Sequence, residues 1–181
     1  MAVFSAGTHR STASPVGLAP FILSPLDLVA YFSATGTTAG VAKNLAEAAG
    51  ADLYEIRPKT PYTSADLDWN NPKSRSSIEM RDNPKFRPPI EGALPDVSGY
   101  DTVLVGFPIW WYVAPTIINT FLEGCNLSGK RVAVFATSGG SGMGRTLDEL
   151  KPSAPGAVWL SGKRFGNRES VSLLKAWIEG L

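Results

Sequence analysis

The chain has 181 residues, a net charge of +1 from 17 basic and 16 acidic side chains, one cysteine and one histidine. That length suits one domain with a substantial core, and the balanced charge argues against nucleic-acid binding, which calls for a basic excess on one face. A single Cys rules out an intrachain disulfide framework and, with one His, argues against a Cys/His zinc site.

Residues 1–26 contain no acidic residue, are rich in Ser, Thr, Ala and Pro, and are interrupted by three prolines, so a stable helix is not expected there. They read as a disordered arm or an added extension rather than as a targeting segment, since only one Arg is present. His9 lies in this arm without a triad or metal context. The folded domain is expected to span 27–181.

From residue 27 onward strands and helices alternate. Residues 28–32 (LVAYF) form a short apolar run ending in a hydroxyl-rich turn, the pattern of a buried parallel strand. Residues 38–49 place Val41, Ala42, Leu45, Ala46 and Ala49 on one helical face, with Lys43, Asn44 and Glu47 opposite, and Gly50 suits a C-cap. Residues 52–56 (DLYEI) are more polar, as an edge strand would be. A long connection follows to about residue 100, rich in Pro, Asn, Ser and Arg, in which 71–82 is compatible with a short helix. Connections of this length usually carry function or structure of their own.

Residues 102–107 (TVLVGF) are a third strand. Pro115 suits the first turn of a helix striped by Ile117, Ile118, Phe121 and Leu122. Residues 131–136 (RVAVFA) are the fourth strand, followed by a glycine-rich turn and a helix carrying Leu147 and Leu150. Residues 157–160 (AVWL) are the fifth strand. A last helix over about 168–180 sets Val171, Leu174, Trp177 and Ile178 on one side. Five strands alternating with helices predict a parallel α/β sheet covered on both faces. Ligands bind such sheets outside the carboxyl ends of the strands, where strand order reverses. The loops after strands one, three and four are therefore expected to converge.

The first of these loops is Ser33, Ala34, Thr35, Gly36, Thr37 and Thr38. It sets hydroxyls and backbone amides before a helix, whose N-terminal N–H groups and dipole attract an anion. It contains no Lys or Arg and no Walker signature, so a bound phosphate would be held by neutral dipoles. The alternative is a Ser/Thr turn that only caps the helix. The second loop offers Pro108, Ile109, Trp110, Trp111 and Tyr112; adjacent aromatics at a strand end are costly to leave in water, and a flat ligand would cover them. Trp110 is slightly preferred for that contact over Trp111; in the other reading one Trp is core and its neighbour packs on the long connection. The third loop, Thr137, Ser138, Gly139, Gly140, Ser141 and Gly142, can aim several N–H groups at one acceptor.

The strand–YFSATGTT–helix unit resembles the phosphate loop of the flavodoxin family, Ser/Thr-x-Thr-Gly-x-Thr, filled here by Ser33, Thr35, Gly36 and Thr38. GFPIWW at 106–111 and TSGGSGMG at 137–144 are similar to that family's two flavin-flanking loops, in the same order. The resemblance covers 27–181 and is nearest to bacterial flavodoxin-like proteins with a Phe-Pro-Ile-Trp-Trp loop. It implies a three-layer α/β/α sandwich with a five-stranded parallel sheet in order 2-1-3-4-5. It also implies non-covalent FMN as the cofactor, with backbone carbonyls in the second loop available to the reduced ring's N5–H. Gly139, Gly140 and Ser141 are the candidate donors to the N1–C2=O edge. Relatives often carry His where this chain has Ser138, which removes a titratable group.

No carboxylate pair, Ser/His/Asp set or metal cluster stands out, so catalytic residues are not assigned and the chemistry is expected to be a cofactor's. Cys125 reads as a small, partly buried residue. The stretch with Lys73, Arg75, Arg81, Lys85 and Arg87, flanked by Trp69 and Phe86, reads as a solvated face, with a lid over the flavin or a docking site for a partner as the alternatives. Electron transfer to redox partner proteins or a small acceptor is the favoured role. An FMN-dependent NAD(P)H:quinone-type oxidoreductase and an FMN-free interaction scaffold are the alternatives. Carriers of this family are usually strongly acidic, which steers them to basic partners, and this chain is not. The expected location is cytoplasmic, from the lone cysteine and the absence of an apolar run long enough to span a bilayer.

Overall fold

The computed structural model describes residues 27–181; the arm at 1–26, with His9, lies outside the described residues. Five strands, β1 (Asp27–Tyr31), β2 (Asp52–Glu55), β3 (Thr102–Pro108), β4 (Arg131–Thr137) and β5 (Val158–Phe165), form one sheet in the order β2-β1-β3-β4-β5. All neighbouring pairs are parallel. Side chains alternate between the faces, and the two faces build two cores. Val29, Tyr31, Leu104, Ala133 and Phe135 meet Val41, Ala42 and Leu45 of α1 (Thr37–Ala49) and Leu174 of α5 (Val171–Glu179). Ala30, Phe32, Val103, Val105 and Phe107 meet Ile117, Ile118, Phe121 and Leu122 of α3 (Thr116–Gly124) and Leu150 of α4 (Thr146–Leu150). The result is a three-layer α/β/α sandwich, held chiefly by side chains whose full burial contributes about 1.5–3 kcal/mol each for Leu, Ile and Phe.

The end signals behave as the physics asks. α1 ends on Gly50 at φ 64, where the left-handed conformation lets its N–H reach back to the Ala46 and Glu47 carbonyls. β2 is an edge strand and stays partly exposed. The fifth strand is longer than 157–160. Its pairing with β4 slips between Val132 and Val134, so one extra residue bulges and the polar run Ser161–Gly162–Lys163–Arg164 continues the ladder on an edge. Gly162 suits that turn of the strand, because a Cβ there would lie 2.9 Å from both Met143 and Val134.

The last helix begins at Val171 rather than near 168, capped by the Ser170 hydroxyl, which accepts the Leu173 N–H at 3.3 Å. The expected 71–82 helix starts at Arg75. It has one α turn, α2 (Arg75–Ser77), capped by Ser74, and continues as a π-helical turn at Ile78–Asp82.

The connection from β2 to β3 leaves and returns as a short antiparallel pair. Lys59 N–H donates to the Pro89 carbonyl at 2.8 Å, and Glu91 N–H to the Arg57 carbonyl at 2.7 Å. Arg87 then clasps Glu123 of α3, and Leu94 packs where Gly124 leaves room. The excursion between these anchors lies over the carboxyl end of the sheet, beside the second loop.

Candidate functional site

The loops after β1, β3 and β4 do converge. They line one cavity of about 680 Å³, formed by Ala34 and Thr35 from the first, Pro108 to Tyr112 from the second, and Gly139, Gly140 and Ser141 from the third. Its remaining wall is Leu67, Trp69 and Ser76 from the long connection. The lining carries no charged side chain, and its volume lies within the range of small-molecule and cofactor sites. Thr37, Thr137, Ser138 and Gly139 line a smaller adjoining cavity with Phe165, Gly166 and Asn167. Ser33, Gly36, Thr38 and Gly142 line neither.

The first loop has the makings of an anion cradle. Gly36 occupies the N-cap of α1 at φ 88, with no side chain capping the helix and no acidic residue in its first turn. The leading amides therefore face an exposed loop, with the hydroxyls of Thr35 and Thr37 3.5 Å apart beside them. Ser33 works on the loop itself, accepting the Gly36 N–H at 3.1 Å. Thr38 is buried and shares a 2.8 Å hydrogen bond with Thr137 across the sheet end, which ties the first loop to the third.

The second loop turns sharply. Trp110 N–H donates to the Val113 carbonyl and Val113 N–H to the Trp110 carbonyl, at 2.9 and 3.0 Å. Between them Trp111 and Tyr112 both take positive φ, 46° and 67°. Paired positive φ is the signature of a type I′ turn, which prefers Asn-Gly; in aromatics it costs of order 1–3 kcal/mol per residue. The chain leading into α4 supports it: Thr146 donates to the Tyr112 carbonyl at 3.4 Å, and Gly144 leaves room that a Cβ would close to 2.9 Å from that oxygen. Tyr112 is 71 % exposed, so little packing offsets its strain. Tyr112→Gly is accordingly expected to raise the stability of the ligand-free protein by about 1 kcal/mol. A denaturant midpoint unchanged or lowered would mean the turn is not strained there.

Trp110 is both core and cavity wall. It packs edge-on against Phe32 and Tyr62, with centroids at 5.6 and 5.2 Å. Tyr62 belongs to a partly buried network that composition and periodicity do not reveal. Its hydroxyl donates to the Glu79 carboxylate, Arg75 donates to the other Glu79 oxygen at 2.7 Å and to the Thr60 carbonyl at 2.7 Å, and the guanidinium lies 3.9 Å over the Tyr62 ring. Burial first, and then Glu79, push the Tyr62 phenol far above its usual range. The Arg75/Glu79 spacing of four on a helix was the available signal, but the helix itself was ill-defined. The basic stretch thus gives one residue, Arg75, to the wall behind the cavity. Trp69, 71 % exposed, stands at the cavity's edge.

In the third loop the Ser138 hydroxyl accepts the N–H groups of Gly140 and Ser141, at 3.2 and 2.8 Å. Of the three candidate donors, two are therefore held inside the loop and Gly139 is left. Cys125 is half-buried, and burial pushes its thiol up to about 11, which agrees with an inert residue. Among the described residues no group of His, Cys, Asp and Glu is arranged to hold a metal. No helix among them is long and apolar enough to cross a membrane.

A flavodoxin family model matches residues 26–181. No curated protein matches the chain. Among solved structures, the chain is 52 % identical to a candidate flavoprotein from Bacteroides eggerthii DSM 20697, covering 86 % of this chain and 97 % of that one with a TM-score of 0.81. It is 47 % identical to another from Bacteroides uniformis ATCC 8492, covering 86 % and 99 %, also with a TM-score of 0.81. A flavoprotein in complex with FMN from Lactobacillus acidophilus NCFM is 24 % identical, over 77 % of this chain and 93 % of that one, with a TM-score of 0.64.

Proposed function

This chain belongs to the flavodoxin family, and on that premise we propose that it binds FMN non-covalently and serves in electron transfer. One observation carries the reading: three separate loops converge on an uncharged, aromatic-walled cavity bordered by Ala34 and Thr35, the residues that lead into the uncapped N-terminus of α1. The site fits the cofactor chemically. The first-turn amides of α1 with Thr35 and Thr37 would hold the phosphate by neutral dipoles, and Trp110 and Trp111 would cover the flat ring. The orphaned Ser76 hydroxyl in the wall asks for a ligand bearing polar edge atoms.

When bound, FMN supplies one- or two-electron redox chemistry. The chain's own residues exclude water with Trp110, Trp111 and Leu67, and present dipoles. In the second loop the Trp110 and Tyr112 carbonyls are engaged by Val113 and Thr146. Among the described residues this leaves the Ile109 and Trp111 carbonyls as acceptors available to a ring N–H. In the third loop the Gly139 amide is the candidate backbone donor not held inside the loop, and it is available to a ring carbonyl. An electron-rich indole beside the ring favours the oxidised, electron-poor form.

The absorption spectrum of the purified protein, before and after adding FMN, tests the binding; a colourless protein that ignores FMN overturns it. Thr35→Ala is expected to weaken FMN roughly 10–100-fold, the value of one hydrogen bond to a charged group. The exposed Thr35 contributes little to the fold, so the ligand-free melting temperature should stay put. Equal losses in affinity and stability would reduce the loop to a structural turn. Reductive titration in two one-electron steps supports the carrier role. The near-neutral charge, +1, and the extra cavity wall from the long connection favour a second reading, an FMN-dependent oxidoreductase. Steady NAD(P)H oxidation with a quinone acceptor would decide for it. The lone cysteine fits a cytoplasmic setting.

A further inference from the structure

Three buried side-chain oxygens among the described residues have no hydrogen-bond partner: Asp27 Oδ1, Ser76 Oγ and Thr116 Oγ1. Asp27 stands at the foot of β1, far from the sheet's carboxyl end, and Thr116 opens α3 without lining the cavity. Ser76 differs: it is 2 % exposed and belongs to the cavity wall. An unpaired buried hydroxyl is a standing cost that folded proteins rarely keep without a use.

The surroundings of Ser76 are built rather than casual. Its backbone N–H is fixed to the Asp66 carbonyl at 3.0 Å. Ser74 caps its helix, with its hydroxyl donating to Ser77 at 2.9 Å. Its neighbour Arg75 is pinned by Glu79, Thr60 and the Tyr62 ring. The π-helical turn that follows, Ile78–Asp82, is an irregularity often kept at functional positions. Ser76 is thus held on a rigid support at the cavity wall. The rest of the wall is aromatic and uncharged, which suits a flat neutral ring and disfavours an ion.

We propose that Ser76 is a ligand-recognition residue, whose hydroxyl donates a hydrogen bond to a carbonyl oxygen of a flat, uncharged ring lodged against Trp69 and Trp110. The assignment rests on reading this cavity as the redox site. Two sources offer that chemistry: the isoalloxazine carbonyls of FMN, and the carbonyl of a quinone-type acceptor.

Ser76→Ala removes the hydroxyl and little else. In the ligand-free protein it should raise the melting temperature by about 2–4 °C, as relief of an unpaired buried group would. Thr116→Val, which removes an unpaired hydroxyl outside the cavity, should do the same and leave binding unchanged. Binding is then read in two arms. FMN is titrated into both ligand-free proteins by fluorescence, and 2-methyl-1,4-naphthoquinone is titrated into both oxidised FMN-loaded proteins by calorimetry, with no reductant present. Ser76→Ala should weaken one ligand about tenfold, and the arm that moves identifies the ring that Ser76 serves. Wild type that binds both ligands, with a variant that changes neither, overturns the Ser76 assignment and leaves the proposed function standing. A variant that lowers the melting temperature also overturns it, since Ser76 would then be structural. Wild type that binds the naphthoquinone but no FMN refutes the cofactor reading, and the naphthoquinone affinity of the ligand-free variant then decides for or against Ser76. Wild type that binds neither refutes both.

Discussion

Gly106→Ala is expected to destabilise the protein by about 3 kcal/mol, the upper end for forcing one methyl into a packed core, lowering the melting temperature by about 6–12 °C. Gly106 lies in β3 and pairs in register with Phe135 of β4. A Cβ at 106 would fall 2.1 Å from Phe135 Cζ and 2.4 Å from Cε2. The Phe135 ring is wholly buried, between the sheet and the α1 and α5 helices, and has nowhere to go. The glycine is thus a socket for a cross-strand aromatic. It opens the GFPIWW motif, so its loss would resemble a cofactor-site defect in an activity screen. The two are separable: in the double variant Gly106→Ala/Phe135→Leu the smaller side chain frees the space, and the combined loss should be well below the sum of the single losses. Additive losses, read from denaturant midpoints, would show that the steric account is wrong.

Glu79→Gln should cost about 2–3 kcal/mol. Breaking a buried ion pair typically costs 3–5 kcal/mol because the surviving charge is stranded. The side chain of Glu79 is 7 % exposed, but that of Arg75 is 22 % exposed, so water screens part of the loss. The neutral amide can still accept from Tyr62, but it cannot balance the guanidinium. Replacing Arg75→Met together with Glu79→Gln keeps an acceptor for the Tyr62 hydroxyl, removes the stranded charge along with the attraction and should come closer to wild type than either single change. The network holds Tyr62 against Trp110, so Glu79→Gln should also loosen FMN, though Glu79 does not line the cavity. A double variant as unstable as the sum of the singles would mean that Arg75 and Glu79 contribute independently and that no ion pair couples them.

Much of this molecule is written in local patterns. Leu28–Ala30, Val103–Val105 and Val132–Val134 are apolar on both faces because both sheet faces are covered, and such runs can hardly be anything but buried parallel strands. Gly50 and the Val41–Leu45 stripe define α1 by chain geometry alone. The three loops were recognisable because each breaks composition: hydroxyls, indoles and glycines at strand ends. β5 runs past the apolar segment 157–160 because an edge strand tolerates Ser161, Gly162, Lys163 and Arg164 on a half-solvated ladder, where hydropathy carries no signal. α5 starts at Val171 and not near 168 because the segment before Ser170 is held as a turn, Glu169 accepting the Gly166 N–H at 2.7 Å, a local side-chain contact that the apolar stripe does not reveal.

By itself, the sequence determined the α/β alternation, the buried strands and the three loops expected at one end of the sheet, since these depend on periodicity and turn chemistry among near neighbours. Packing across the molecule is what brings Leu67, Trp69 and Ser76 to close the cavity, sets Arg75, Glu79 and Tyr62 behind Trp110, and makes Gly106 a socket for Phe135. Those relations join residues far apart in the chain, and their energies arise from burial, steric fit and hydrogen-bond satisfaction, which exist only once the chain has packed.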